Sequence, residues 1–483
     1  MIDQIISDRL KKLDNLKKEG INPYPIKSKK TVSIGDFISE FNSFKKSGKK
    51  IYLVGRIKSL RDQGKIIFVD VEDFSGRIQA IFKDEQLKNN FKLVKNNIDL
   101  GDFIQIFGKA MVSKSGQKSV FVNDVVFLAK SLRPIPKDFY GIEDVELRLR
   151  KRYLDSVIDS KVREIFVKKS VFWNSVRLFL NQANFLEVDT PVLEQTPGGA
   201  EAEPFKTHHN ALDEDFYLRI SLEISLKKML VGGFEKIFEI GRIFRNEGID
   251  AEHLQDYTQC EFYWAYSEYK ELMKFTEKLY KFVIKKTVGS LITVYKGEKI
   301  NWGKKWKTVD YCDAFYKATN LDPTTASRDA LLKKAHELNI FVEVSSGKGK
   351  VIDQIFKKTV RPKLIQPTFL INPPIFIEPL AKKSSDNPLK VERFQIMAGG
   401  TELGKGFSEL NDPLDQRERF QEQMNLRAQG DLEAQRLDED FLEALEYGMP
   451  PASGFGFSER LFAVIMDKPV REIIYFPPMK KEK

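Results

Sequence analysis

The sequence predicts an α+β protein: a small antiparallel β-barrel near its start, then a linker, then a larger domain on an antiparallel β-sheet with flanking helices. Three observations predict it. Short alternating apolar runs crowd residues 51–130, while strand-like runs recur after residue 185 without a regular helix between each pair. A chain of 483 residues is also too long for one ordinary core. The 42% hydrophobic and 31% charged content suits a chain that folds around cores in water. No run of about eighteen apolar residues occurs, so neither a membrane span nor a membrane partner is expected.

The first twenty residues, MIDQIISDRLKKLDNLKKEG, lack the apolar centre of a signal peptide and read as an amphipathic helix closed by Gly20 and Pro23. A helical extension over 1–50 and a cytoplasmic location follow as expectations. IYLVGRI, KIIFVDVED, GRIQAIF, DFIQIFGKAM and SVFVNDVVFLA then read as five strands, with turn signals at Gly64, Gly76, Gly101 and Gly116. Five strands in so short a span suggest a closed barrel of the OB type over 51–132, a fold that commonly binds single-stranded nucleic acid. A barrel used only for packing is the alternative.

Residues 133–160 hold Pro134 and Pro136 and then turn strongly charged, as a linker would. From Arg163, REIFVKKSVFWNSVRLFLNQANF has apolar residues at helical spacing as far as Asn184, and LEVDTPVL follows as a strand stopped by Pro191. EKIFEIGRIFR and YTQCEFYWAY read as further strands, KGEKINWGKKWKTV as a hairpin, and SRDALLKKAHEL as a helix begun by Ser327. The second domain spans 161–483. The basic stretch near 285–360 leaves open whether it touches nucleic acid or is a solvated face.

Two cysteines, Cys260 and Cys312, and four histidines at 208, 209, 253 and 336 assemble no zinc spacing. The formal net charge of +10 favours an anionic partner, nucleic acid first.

Six strings then align in order: FLEVDTPVL, TPGGAEAEPFKTHHNALDEDFYLRISLE, VGGFEKIFEIGRIFRNEG, LIQPTFLINPP, GTELGKGFSELNDPLDQRERF and ALEYGMPPASGFGFSERLF. On these the chain resembles the class II lysyl-tRNA synthetases of the bacterial type, from the first helix to the end. The resemblance implies a class II catalytic domain that activates L-lysine with ATP to lysyl-adenylate and pyrophosphate. The lysine then passes to the 3′-end of tRNA(Lys). Attack of a carboxylate on the α-phosphate is governed by positioning and by neutralising oxyanion charge, so such a site needs cations.

Arg245 matches the family's arginine on the α-phosphate and the amino acid carboxylate, and Arg460 the one at the far end of the triphosphate. Glu247 would accept from the adenine amino group, His253 would approach the γ-phosphate, and Tyr257 would stack on adenine. For the substrate's ammonium the resemblance implies acids, at Glu223 and Glu409. Gly199, Glu261, Tyr263 and Lys405 fall at positions of the same pocket. Taken singly, each residue has a plainer reading: a surface ion pair, a core ring, a structural histidine.

Two departures stand out. The family usually has an acid at Gln395, which with Glu402 would hold Mg2+ near the phosphates, and a neutral amide at Lys405. Either Lys405 takes over part of the metal's role, by pairing with Glu402 or touching a phosphate, or it points to solvent while Glu402, Gln395 and the phosphates hold the ion. The glycine-rich stretch before Arg460 is one residue short and carries Glu459 where aspartate is more common.

By the resemblance Pro191 would lie at a dimer interface, which implies a homodimer, although a strand ending in proline also serves as an ordinary sheet edge. In the barrel, Phe68 matches an aromatic that stacks on an anticodon base, with Arg61 and Gln79 nearby, and Asp124 stands at an anticodon-contact position where the family often has glutamate. Three other readings compete: a protein-modifying ligase, which would resemble only the catalytic half; a catalytically dead RNA-binding paralogue; and an enzyme for aspartate or asparagine, which would need a cation facing the side chain.

Overall fold

The computed structural model describes residues 2–136, 144–248, 254–343, 346–431 and 433–480. Two compact units form, Met1–Glu143 and Asp144–Lys483.

In the first unit the helix Ile2–Lys18 buries Leu13 and Leu16 and stops where Gly20 turns to a left-handed φ of 74°. Strands β1 (Ile51–Asp62), β2 (Ile66–Glu72), β3 (Arg77–Lys83), β4 (Phe103–Val112) and β5 (Lys118–Ala129) close a barrel in the order β1-β2-β3-β5-β4. Strict alternation explains the closure. Leu53, Ile57, Ile67, Val69, Val71 and Val120 point inward and are buried, while their neighbours face out. Two short helices, Asp84–Leu87 and Asn89–Asn97, fill the β3–β4 connection.

In the second unit, the stretch expected as a linker contains the helices Val145–Arg150 and Arg152–Ile158. Arg152 is buried there, pairs with Asp155 at 2.8 Å and donates to the Glu472 carbonyl. A long helix, Ser160–Gln182, follows, its start capped by the Asp159 side chain accepting from the Lys161 amide. The strand expected in LEVDTPVL shrinks to β6 (Leu186–Glu187). Pro191 lacks an N–H, and the chain leaves the sheet before it.

The remaining strands are β7 (Leu193–Glu194), β8 (Lys206–His209), β9 (Glu214–Leu218), β10 (Lys236–Phe244), β11 (Asp256–Ala265), β12 (Ile292–Tyr295) and β13 (Glu298–Asn301). Then come β14 (Lys307–Asp310), β15 (Thr368–Ile371), β16 (Arg393–Ala398), β17 (Thr401–Ser408) and β18 (Ala452–Ser458). Eight of them build one sheet in the order β14-β15-β16-β17-β18-β11-β10-β6. It is antiparallel except at β6·β10 and β14·β15.

The expected hairpin is displaced. It forms between β12 and β13, because Lys296 and Gly297 both adopt positive φ and make a two-residue turn. The later KTV segment joins the main sheet as β14 instead. The helix Arg328–Glu337 begins as expected, with the Ser327 hydroxyl accepting from the Ala330 amide.

Each central strand serves two faces. On β11, Cys260 and Phe262 are fully buried in the core formed with Phe172 of Ser160–Gln182 and with Leu279 and Tyr280 of Tyr269–Val288. Burying a phenylalanine such as Phe262 contributes about 1.5–3 kcal/mol. Glu261 and Tyr263 point to the opposite face, with the period of two that a strand imposes.

Candidate active site

That opposite face lines a cavity of about 760 Å3. Across its floor Gln395 pairs with Lys405, Lys405 with Gly456, and Gly456 with Glu261, so the three side chains stand in one row over β16, β17 and β11. Glycine leaves the space open. A Cβ on Gly454 would lie 2.3 Å from Glu409 Oε1 and 2.4 Å from Tyr263 Cε1. The shortened glycine-rich stretch is nonetheless regular as β18, and Arg460 opens the helix Arg460–Ile465 directly after it.

At one end of the cavity Arg245 leaves β10 with its Nε donating to the Ile220 carbonyl at 3.2 Å. Its guanidinium stands 5.8 Å from the centre of the Tyr257 ring. Glu247 lines the same space, and the Gln255 amide fixes its segment by donating to the carbonyls of Glu247 and Gly248. Arg460 Nη1 reaches the Glu402 carbonyl at 3.4 Å, and Gln395 Nε2 donates to Glu402 Oε2 at 2.7 Å. His253 lies outside the described residues.

At the other end the two acids expected to face the substrate meet a side chain that the sequence reading missed. Lys227, fully buried, places its Nζ 2.6 Å from Glu223 Oε1 and 2.5 Å from Glu409 Oε2. The i,i+4 spacing of Glu223 and Lys227 in the helix Glu223–Val231 was the one signal available for it. Burial drives Glu223 up to about 7 against the pull of Lys227 and drives Glu409 well above its ordinary value. Burial would lower Lys227, but the two carboxylates hold it above its ordinary value. Two carboxyls share one ammonium, so with both ionised the cluster has one negative charge over.

Glu261 is differently engaged. Its oxygens accept from Ser221 Oγ, the Leu222 amide and Tyr263 Oη, at 2.7, 3.0 and 3.0 Å. It therefore fixes the tyrosine and the helix start. Gly199, at φ 83°, brings the backbone so close that a Cβ would lie 2.8 Å from the Glu223 Cβ.

Lys405 does not pair with Glu402; part-exposed, it lines the cavity. Its Nζ lies 2.9 Å from Glu378 Oε2, and Arg393 Nη1 approaches the same oxygen at 3.4 Å. Strand pairing explains the direction, because Gln395, beside Lys405, already takes Glu402. Burial alone would raise Glu378, but Lys405 and Arg393 hold it below its ordinary value. The charge balance is the reverse of the first cluster: two cations share one carboxylate. Glu378 and Arg393 were also missed from sequence.

On the barrel, Arg61 of β1 faces Phe68 of β2, its guanidinium 5.8 Å from the ring centre. Phe68 opposes Ile81, which opposes Phe121 of β5, and Lys83 lies 5.6 Å from the Phe121 ring centre. The alternation in SVFVNDVVF could have found Phe121. Gln79 is buried with its amide engaged: it donates to Gln117 and accepts from Ser119, both at 3.0 Å. Asp124 is exposed and pairs with Phe107 of β4, outside the Phe68 row.

Residues 144–480 match the family model of class II tRNA synthetases (D, K and N), and residues 51–128 that of the OB-fold nucleic acid binding domain. Three relatives bear the name lysine–tRNA ligase. The protein of Moorella thermoacetica is 40% identical over 99% of this chain and 98% of its own length. That of Carboxydothermus hydrogenoformans is 41% identical over 99% and 98%, and that of Roseiflexus sp. 40% identical over 99% of each. With the catalytic model covering most of its length, the chain belongs to the class II tRNA synthetases of the D, K and N group.

Proposed function

We propose that the chain is a lysine–tRNA ligase that forms lysyl-adenylate and pyrophosphate from L-lysine and ATP, then transfers lysine to the 3′-terminal ribose of tRNA(Lys). The observation that carries the choice of amino acid is the buried cluster of Glu223, Lys227 and Glu409. A second ammonium, brought by the substrate, lets both carboxyls ionise and balances the cluster, whereas the carboxylate or amide side chain of aspartate or asparagine brings no cation to these acids.

In the reaction a carboxylate oxygen of lysine attacks the α-phosphorus and pyrophosphate leaves. Arg245 holds the two anions together, and Arg460 grips the outer phosphates. Glu247 accepts from the adenine amino group, and Tyr257 stacks on the base. Magnesium enters as part of the ATP complex. Exchange of pyrophosphate into ATP tests the reading: lysine supports it, and aspartate, asparagine and ornithine do not. Absence of exchange with all four would leave an RNA-binding paralogue as the better account.

Lysine affinity depends on pH through Glu223. Bound ammonium favours the ionised carboxylate, so binding below about pH 7 must first expel a proton. Glu409, which burial also holds well above its ordinary value, acts in the same direction, so affinity rises with pH and weakens by about tenfold or more per pH unit below about pH 7. Calorimetry with lysine between pH 6 and 8.5 checks this, and a flat profile would sink it.

The barrel, over 51–132, takes the anticodon on Phe68 with Arg61 at its side, and Phe121 extends the platform. Phe68→Ala weakens tRNA(Lys) binding by about 1–3 kcal/mol in a filter assay at fixed salt. Unchanged affinity would remove Phe68 from the interface. The reading also implies the cytoplasm and a homodimer. No helix among the described residues is long and apolar enough to cross a membrane. Leu186, Val192 and Leu193 stand exposed around Pro191, which supports a covering subunit.

A further inference from the structure

Strand β17 has Glu402 near its start, Lys405 in its middle and Glu409 just past its end. Extended residues rise about 3.3 Å each, so Lys405 stands roughly 10 Å along the chain from Glu402 and roughly 13 Å from Glu409. Glu402 belongs with Arg460, and Glu409 belongs with Lys227. Lys405 is therefore at the junction of the two ends, where the substrate's carboxylate has to meet the α-phosphate. Its side chain is 37% exposed, against 4% for the Glu378 that holds it. Glu378 uses one of three ammonium N–H donors and, shared with Arg393, leaves a positive charge over.

The same floor does not fit a metal ion held by the protein. Magnesium takes oxygen ligands in near-octahedral order, as a rule one or two carboxylates together with substrate phosphates and water. Here Glu402 Oε2 already accepts the Gln395 amide, and the cation beside that amide is Lys405. Among the described residues no group of three or more His, Cys, Asp or Glu side chains could hold a metal ion.

We infer that Lys405 supplies the positive charge at the reacting centre, donating to the oxyanion formed where the lysine carboxylate meets the α-phosphate, and that no divalent ion is held there by protein carboxylates. This rests on the lysine–tRNA ligase reading. A carboxylate oxygen bonds to the α-phosphorus as the α–β bridging P–O bond breaks. Its electron pair leaves on pyrophosphate, and no proton moves. Glu378 and Arg393 position Lys405 rather than touch the reacting atoms.

Manganese, counted by electron paramagnetic resonance with lysine and α,β-methylene-ATP, tests the ion. The wild-type chain binds one Mn2+ per nucleotide and none without it; a second ion, or any ion without nucleotide, overturns the inference. Lys405→Met tests the charge. It lowers kcat for pyrophosphate exchange by about 10²–10³-fold, with the lysine KM close to wild type, and Lys405→Arg recovers part of the loss. An undiminished kcat in Lys405→Met overturns the role. A purely structural lysine would not give this split between kcat and KM. Failure of the ligase reading is separate, since wild-type exchange with lysine would then be absent whatever the ion count.

Discussion

Arg245→Ala lowers lysine-dependent pyrophosphate exchange by about 10²–10³-fold, the usual loss when one preorganised donor to a developing oxyanion is removed. The residue is held before substrate arrives. Its backbone amide donates to the Gln255 carbonyl at 2.9 Å and its Nε to the Ile220 carbonyl at 3.2 Å, so the remaining guanidinium donors are aimed without further ordering. Arg245→Lys restores little, because an ammonium cannot reproduce a planar fork that bridges two anions. Exchange at saturating ATP and lysine, with a melting curve for each variant, measures the effect. A loss below tenfold in a folded variant would remove Arg245 from the oxyanion.

The second large effect concerns stability. Lys227→Met strands Glu223 and Glu409 in the interior without their shared cation, which costs about 3–5 kcal/mol in denaturant unfolding. Adding Glu409→Gln recovers part of this, because the surviving carboxylate no longer has a like charge beside it. L-lysine raises the melting temperature of Lys227→Met by more than it raises that of the wild type, since the ligand then brings the only ammonium in the cluster. Wild-type stability of Lys227→Met would mean that the two acids are neutral in the folded protein and that the charge argument for lysine is wrong.

What the sequence made legible was mostly local. The barrel strands follow from alternation that leaves Val69 and Val71 inside and Phe68 outside, and the Ser327 cap is visible within four residues. Both read directly because neighbouring residues settle them. The hairpin was misplaced because its turn depends on positive φ at Lys296, an uncommon choice for a side-chain-bearing residue. The charge clusters were hidden for a different reason. Glu409 meets Lys227, and Arg393 and Lys405 meet Glu378, only when distant strands and helices are brought together. The row of Gln395 and Lys405 is similar: each was suspicious alone, but their adjacency needs the β16–β17 register.

Strand β11 alternates Cys260 and Phe262 with Glu261 and Tyr263, so the wall proposed to recognise the amino acid, which lines the cavity, is the back of the wall that packs the core. Slipping the strand by one residue would exchange the two sets of side chains. The accuracy of amino acid choice is thus coupled to aromatic packing on the far side of the sheet. Substitutions there that never touch a substrate should surface as errors in the proteins a cell makes.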